Sequence, residues 1–558
     1  MKRTPPGVLA AIAAAALLIG APAPATAAPP SALPQVAPAT PGELLECESL
    51  IGFEYEATRI TAAAFTPAGV QPAHCRVTGQ TNERIGEDGQ PYAIGWEMRL
   101  PADWAGRYLY QGNGGIDGSV APALGNFTGG QERSGLAMGF AIISSDAGHT
   151  GAQNGSFGND GQARLDFGYN TAVTLTPLAK ALIEEAYGRG PDTSYFAGGS
   201  NGGRHTMVAA TRLADEYDGF LPIAPGFNLP QAAVAQIAEA QLFNTVATVP
   251  GNLNTAITPA ERAVIKAGIL ERCDGIDRLR DGLVQDSERC AKFFDIHRDV
   301  PTCEGERDDT CLSAAQKDVL AQVYAGVTTS TGKEIYESFP VDAGITNGDW
   351  ATWNLFISVA LDPLAVGTVF MPYPDHSILA SPLTADIDAM EAGIYEAGLS
   401  GQSAMEFMTP LGDDTDYDTL RDTGAKMIVI HGASDAVFSA DDTARWFTAV
   451  DKAYRNKAED FIRYFQVPGM AHVSGGASTD KVDALGALID WVENGVAPDR
   501  LIAEARGGNA EAMAAGLAPG AQRPLCVYPL VARYVGGDPE SADSFACKPS
   551  SGDPASAD

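Results

Sequence analysis

A chain of 558 residues with 70 acidic side chains against 37 basic ones carries a net charge of −33. A surface of that sign repels phosphate backbones and anionic lipid, which argues against nucleic acid and membrane surfaces as partners. The length exceeds what one hydrophobic core ordinarily supports, so two domains or one core with a large insertion are expected.

The first segment has the layout of a signal peptide. Lys2 and Arg3 precede the apolar run "GVLAAIAAAALLIG", and "APAPATAA" offers small residues for cleavage after Ala27 or Ala28. The apolar run falls short of the ~20 residues a membrane span needs, and no later stretch reads as a span. Export to the periplasm or the medium is therefore expected for the chain after residues 1–28. Residues 28–44 are rich in Pro and Ala and read as a leader. Eight cysteines follow, and an even number in an oxidising compartment implies four disulfides. No C-x-x-C pair supports zinc. Proximity pairs Cys273 with Cys290, Cys303 with Cys311 and Cys526 with Cys547, which leaves Cys47 for Cys75.

From about 90 to 228, extended apolar runs alternate with helical stretches. "RYLYQG" (107–112), "GFAIISSD" (139–146), "TSYFAGG" (193–199) and "GFLPIAPG" (219–226) read as strands, and 171–188 as a helix between two of them. That alternation predicts an α/β fold with a parallel sheet covered on both faces. Residues 229–421 break the rhythm with helices such as 312–327, long loops and several tryptophans. Strands resume with "KMIVIHG" (426–432) and "DFIRYFQVPG" (460–469), then a helix over 481–495. The organisation expected is an α/β domain in two parts, 29–228 and 422–558, with 229–421 inserted as a lid.

The junction "FAGGSNGGRH" (196–205) places Ser200 in a G-x-S-x-G motif between a strand and a helix, the setting of a nucleophile elbow. A serine hydroxyl needs a base to take its proton and a third group to orient that base. Asp435 in "HGASD" and His472 in "VPGMAHVSGG" follow successive strands, and the order Ser–Asp–His is that of an α/β-hydrolase triad. Gly112, Gly114 and Gly115 in "YLYQGNGGIDG" follow an early strand. With the N–H of Asn201, the Gly114–Gly115 loop supplies the expected oxyanion donors. His149 is a candidate to line the site. His431 and His205 read as structural, and His74, His297 and His376 lack a matching context.

These motifs resemble the tannase and feruloyl esterase family. The likeness runs in one order through "HCRVTG", "WAGRYLYQGNGG", "SSDAGH", "GGSNGGR", "CDGIDRLRDGLVQD", "HGASD", "VPGMAHVSGG" and "RPLCVYP". It implies an α/β-hydrolase fold with a large lid, and Ser200 as nucleophile, His472 as general base and acid, and Asp435 as its orienting carboxylate. It further implies a structural Ca2+ in the lid, held by Asp274, Asp277 and Asp281 with the carbonyls of Leu279 and Leu283. One departure stands out: family members carry a disulfide between the residue before the serine and the residue after the histidine, and here these are Gly199 and Val473. The resemblance thus points to a branch without that bond, whose triad is expected to rest on packing alone.

From Glu334 to Leu420 there is no Lys or Arg, while Trp350, Trp353, Phe356, Phe370 and Tyr373 gather. Apolar walls without a cation fit an uncharged aromatic group, whereas a free carboxylate wants an Arg clamp. The expected function is a secreted serine ester hydrolase acting on small esters of hydroxycinnamic or gallic acids. The alternatives are a hydrolase of terephthalate-type mono-esters, or a secreted binding protein on a hydrolase scaffold. Oligomeric state stays open.

Overall fold

Continuous apolar runs that alternate with helices leave a strand no polar face, so each must be covered on both sides. The computed structural model, which describes residues 33–128, 130–412 and 414–550, places these runs in the middle of one nine-stranded sheet. The signal peptide expected over 1–28 lies outside the described residues. In chain order the sheet contains β1 (Thr58–Thr66), β2 (His74–Ile85), β3 (Pro91–Pro101), β4 (Arg107–Gly112), β5 (Phe140–Ser145), β6 (Thr193–Gly199), β7 (Gly219–Ile223), β8 (Lys426–Gly432) and β9 (Ile462–Val467). Their spatial order is β9-β8-β7-β6-β4-β5-β3-β2-β1. Strands β4 to β9 pair in parallel, and β1, β2 and β3 add an antiparallel meander that joins at β5. This is the α/β-hydrolase arrangement.

The parallel strands are buried almost throughout, with every residue of β5, β7 and β8 buried, as a sheet covered by helices on both faces requires. Helix α1 (Thr171–Tyr187) covers one crossover and ends where Gly188 turns left-handed at φ 73°. Helix α2 (Asn201–Arg212) leaves β6 directly. The meander is a different case: "TRITAAAFT" in β1 is mostly exposed, so neither apolar runs nor strong alternation announced it. The sequence also gave no sign of two antiparallel pairs near the C-terminus, Arg500–Glu504 with Gln522–Cys526 and Leu530–Tyr534 with Phe545–Pro549.

Residues 229–421 are helical and contain α3 (Leu229–Val246), α4 (Pro259–Cys273), α5 (Ala314–Ala325), α6 (Gly348–Leu355) and α7 (Leu361–Ala365). One apolar cluster lies largely within this stretch, around Phe243, Ile269, Leu320 and Trp350. A second cluster is shared with the body: Phe157 and Phe167 pack with Val369, Phe370, Met390 and Phe407. That shared core makes residues 34–558 one unit by contacts. The stretch Gly348–Phe370 has the length and mean hydropathy, 1.5, of a membrane span, contrary to the expectation that no later stretch would. It is 56% buried inside the fold and feeds both clusters.

Arginines of the body fasten the lid by its backbone. Arg164, 1% exposed, donates through Nε to the carbonyl of Gly158, and through Nη1 and Nη2 to the lid carbonyls of Met371 and Thr368. Arg204, fully buried on α2, donates to the carbonyls of Gly168, Phe167 and Met408. Arg164→Met would strand several buried acceptors at once. Since each costs about 1–3 kcal/mol unpaired, urea unfolding should show a loss of at least ~3 kcal/mol, and a loss under 1 would refute the anchoring role.

The eight cysteines form four disulfides: Cys47–Cys75, Cys273–Cys290, Cys303–Cys311 and Cys526–Cys547.

Candidate active site

The turn from β6 into α2 forces Ser200 to φ 63° and ψ −127°, a conformation that costs a non-glycine residue about 1–3 kcal/mol and persists only where its surroundings over-determine it. Here the Ser200 N–H donates to the Ile223 carbonyl at 2.9 Å, and the Ser200 carbonyl accepts from the Arg204 N–H at 3.0 Å. Glycine is obligatory at Gly202, where a Cβ would lie 2.3 Å from the Gly112 carbonyl oxygen. The first turn of α2 can thus press against the end of β4 and bring the oxyanion loop beside the serine.

The structure brings the three expected residues together. Ser200 Oγ lies 2.8 Å from His472 Nε2, and His472 Nδ1 lies 2.8 Å from Asp435 Oδ2. Asp435 is 3% exposed, and its Oδ1 accepts from the N–H groups of Val437 at 2.8 Å and Phe438 at 3.1 Å. Burial alone would raise its pKa, but the imidazoles of His472 and His431 outweigh it and hold the carboxyl well below the usual range. The His472 ring sits edge-on to Trp353 of the lid and Phe438, with centroids 5.4 and 5.6 Å away. A serine, a base and a buried anion in this chain can pass one proton from the hydroxyl to a leaving group.

Gly114 and Gly115 lie at the serine: a Cβ on Gly114 would be 3.8 Å from Ser200 Cβ, and Gly115 (φ 66°) lines the same pocket as Ser200. Asn201 opens α2, where N–H groups lack intrahelical acceptors. Its side chain was not anticipated: Nδ2 donates to Asp117 Oδ2 at 2.9 Å, and Oδ1 accepts from Arg204 Nε at 2.6 Å. Asp117 Oδ2 also meets His205 Nε2 at 2.9 Å, so His205 ties α2 to the oxyanion loop. Burial pushes Asp117 up to about 7. His149, 1% exposed, lies behind that loop, with Nε2 at 3.0 Å from the Ile116 carbonyl and its ring stacked on Phe157. His431 bonds to Thr443 and to the Phe438 carbonyl, and its Nε2 stands 3.3 Å from Asp435 Oδ2.

The residues marked for the missing disulfide do touch. A Cβ on Gly199 would lie 3.1 Å from Val473 Cγ1 and 2.6 Å from the Phe127 carbonyl oxygen, so the valine side chain occupies the space where a bridge would run. Val473 stands at φ 57°, a strained value for a β-branched residue. Packing alone does not hold this loop, contrary to expectation. Three carboxylates accept its backbone N–H groups: Asp349 of the lid accepts from His472 at 2.9 Å, Asp480, five residues on, from Gly475 at 2.7 Å, and Glu511 from Gly476 at 2.8 Å. Burial raises Asp349 to about 6, and its Oδ1 has no partner.

A pocket lined largely by apolar side chains opens beside Ser200. Of the five aromatics expected as its walls, Trp353 and Phe370 line it. Trp350 turns into the lid core, while Phe356 and Tyr373 are exposed at 60% and 64%. Trp350 and Trp353 stand one turn apart on α6, but only the latter faces His472.

In the loop proposed for calcium, Asp274 Oδ1 accepts from the N–H groups of Asp281 and Gly282, Asp277 Oδ1 from Leu279, and Asp281 Oδ1 from Leu283. Asp277 is 1% exposed and its Oδ2 has no partner. Burial, with Asp281 and Asp274 nearby, pushes its pKa to about 7. The orphaned oxygen of Asp277 suits a hard cation, but Asp274, Asp277 and Asp281 do not bring three carboxylate oxygens within 4.8 Å of one another, and Arg523 Nη2, 2.5 Å from Asp281 Oδ2, already answers one acid. Among the described residues the only group of ligating atoms gathered within 4.8 Å is Cys303, Asp308 and Cys311, and its cysteines are bonded to each other.

A family model described as tannase and feruloyl esterase matches residues 75–548. The chain is 36% identical to the mono(2-hydroxyethyl) terephthalate hydrolase of Piscinibacter sakaiensis, over 88% of each chain. It is 26% identical to feruloyl esterase C of Talaromyces stipitatus, over 79% of this chain and 80% of the relative. The crystal structure of feruloyl esterase B from Aspergillus oryzae aligns with a TM-score of 0.74 at 22% identity, covering 90% of this chain and 99% of the other, a likeness of fold.

Proposed function

Because the chain belongs to the tannase and feruloyl esterase family, and is a carboxylic ester hydrolase of that type, we propose that it cleaves uncharged esters of aromatic acids through an acyl-enzyme on Ser200. The observation that carries this reading is the hydrogen-bonded chain Ser200–His472–Asp435 opening on an apolar pocket lined by no Lys or Arg. Ser200 Oγ attacks the ester carbonyl as His472 Nε2 takes its proton. The N–H groups of the Gly114–Gly115 loop and Asn201 meet the developing oxyanion. His472 then returns the proton to the leaving alcohol, and a water activated by the same imidazole releases the acid.

A second reading, hydrolysis of terephthalate-type mono-esters, is favoured by the 36% identity to the Piscinibacter enzyme. The pocket's lack of a cation weighs against it, since a benzoate carboxylate buried there would have no counter-charge. Methyl ferulate should be turned over at least ~30-fold faster, in kcat/KM, than mono-methyl terephthalate, the equivalent of about 2 kcal/mol. The reverse preference would overturn the uncharged-substrate reading and leave the esterase in place.

In this reading the chain is of a branch of the family without the triad disulfide, which the lack of sulfur at Gly199 and Val473 supports. The four disulfides elsewhere support an exported protein.

A Ca2+ ion held by Asp274, Asp277 and Asp281 with the carbonyls of Leu279 and Leu283 would neutralise the crowded acids and brace the lid. Leu283 packs against Ala505, Ala512, Leu517 and Ala521, and Leu279 against the C-terminal strands, so the brace reaches the second part of the body. Chelation with EDTA should lower Tm by several degrees, and added Ca2+ should restore it. An unchanged Tm would remove the ion from the account.

A further inference from the structure

The N–H groups assigned to the oxyanion stand on two separate elements, the Gly114–Gly115 loop after β4 and Asn201 at the start of α2. Their spacing is fixed only where something joins the two, and a closed ring of side-chain hydrogen bonds does so. Arg204 on α2 donates through Nε to Asn201 Oδ1 at 2.6 Å, and its Nη2 lies 2.9 Å from His205 Nδ1. Asn201 Nδ2 donates to Asp117 Oδ2 at 2.9 Å, and His205 Nε2 reaches the same oxygen at 2.9 Å. Asp117 follows Gly115 by two residues and closes the loop, with its side chain 2% exposed and its backbone at φ 55°.

The two ends of the ring fix the protons in its middle. A guanidinium only donates and a carboxylate only accepts, so His205 between them carries its proton on Nε2 and accepts on Nδ1. Burial, and then the charge of Arg204, support this neutral imidazole by holding His205 well below its usual pKa. The remaining donors of Arg204 end on the carbonyls of Phe167, Gly168 and Met408, so the guanidinium is held on every side. On the loop itself, His149 Nε2 donates to the Ile116 carbonyl at 3.0 Å. We infer that Asp117, His205 and Arg204 are positioning residues for the transition state, whose ring holds the Gly114–Gly115 loop at a set distance from the Asn201 N–H and so fixes the width of the oxyanion site. The inference rests on the acyl-transfer mechanism above and is independent of which acid the enzyme prefers. A ground-state carbonyl asks little of these donors, whereas a tetrahedral oxyanion needs them at about 2.7–3.1 Å. With the ring opened, loop and helix can drift apart, and a displacement of about 1 Å costs on the order of 100-fold in rate.

The test separates transition state from ground state. Hydrolysis of 4-nitrophenyl acetate reads the first through kcat/KM, and competitive inhibition by acetophenone reads the second. Trifluoroacetophenone reads the tetrahedral adduct: Ser200 Oγ adds to its carbonyl carbon, the hydroxyl proton passes to His472, and the alkoxide occupies the oxyanion position. Assays are run at about pH 8.5, where Asp117, pushed up to about 7 by burial, is ionised. His205→Leu opens one side of the ring. It should lower kcat/KM and raise the Ki of trifluoroacetophenone by the same factor, about 10- to 100-fold, with the Ki of acetophenone within about 3-fold of wild type. His205→Gln, whose amide donates to Asp117 and accepts from Arg204, should stay within about 5-fold of wild type on all three. Should His205→Leu fail to fold, Asn201→Ala opens the opposite side while keeping its backbone N–H, and should give the same pattern. Folded variants with kcat/KM and the trifluoroacetophenone Ki unchanged overturn the proposal. So does equal weakening of both ketones, or a loss in His205→Gln as large as in His205→Leu. A wild type that neither hydrolyses 4-nitrophenyl acetate nor binds trifluoroacetophenone removes the acyl-transfer mechanism, and this proposal with it.

Discussion

Ser200→Ala should lower kcat on an aromatic methyl ester by about 10⁶-fold, and adding His472→Ala should lower it little further. The two side chains form one proton-transfer unit across a single 2.8 Å contact, so removing either member disables the other. The first substitution deletes the nucleophile. The second leaves an alcohol whose proton has no acceptor. Alanine can take the same strained backbone at position 200, because the constraints on it come from the Ile223 and Arg204 hydrogen bonds and the neighbouring glycines. Tm should therefore shift by no more than a few degrees. Labelling by a fluorophosphonate should vanish in both single variants. A residual rate over water of about 10³ to 10⁴ is expected from the oxyanion donors and substrate binding. Additive losses in the double variant would mean that Ser200 and His472 act in separate steps, and the proposed mechanism would fall.

What could be read from the chain follows from which forces act locally. β4, β6 and β8 lie at the expected bounds because strands buried on both faces spell themselves as unbroken apolar runs. The residues of the triad stand just beyond the C-terminal ends of β6, β8 and β9, where sites in such sheets gather, and sequence order with strand prediction was enough to select them. The β1–β3 meander was not legible because its exposed small and polar residues carry little hydrophobic signal. Asp349 and Glu511 escaped notice for another reason: each is an ordinary acid locally, and its partner is a backbone N–H far away in the chain. The side-chain hydrogen bond between Asp117 and Asn201 was equally illegible, because it joins groups far apart in the chain. Aromatic residues in the lid were visible as a group, but which of them face the serine depends on how α6 lies on the body, and that orientation is set by long-range packing.

Asp435→Asn should lower kcat by about 10⁴-fold with KM and Tm nearly unchanged, the loss found when the orienting acid of a serine triad becomes an amide. The reason lies in what surrounds the carboxylate. Its Oδ1 accepts from two backbone N–H groups, Val437 and Phe438, that cannot turn. An asparagine therefore keeps its carbonyl oxygen on that side and presents its NH2 where Oδ2 was. His472 Nδ1, 2.8 Å from that position, must then accept a proton rather than donate one. That places the imidazole proton on Nε2, which faces Ser200 and can no longer take the hydroxyl proton. Rotation offers no escape, since it would turn the NH2 onto the Val437 and Phe438 N–H groups. In the first orientation the NH2 faces His431 Nε2, which donates to the Phe438 carbonyl and stands 3.3 Å from the Oδ2 position. The amide meets donors whichever way it turns, and the tautomer of His472 is the only freedom left. A loss smaller than about tenfold would show that the buried acid does not govern the proton on His472, and the assignment of Asp435 would have to be abandoned.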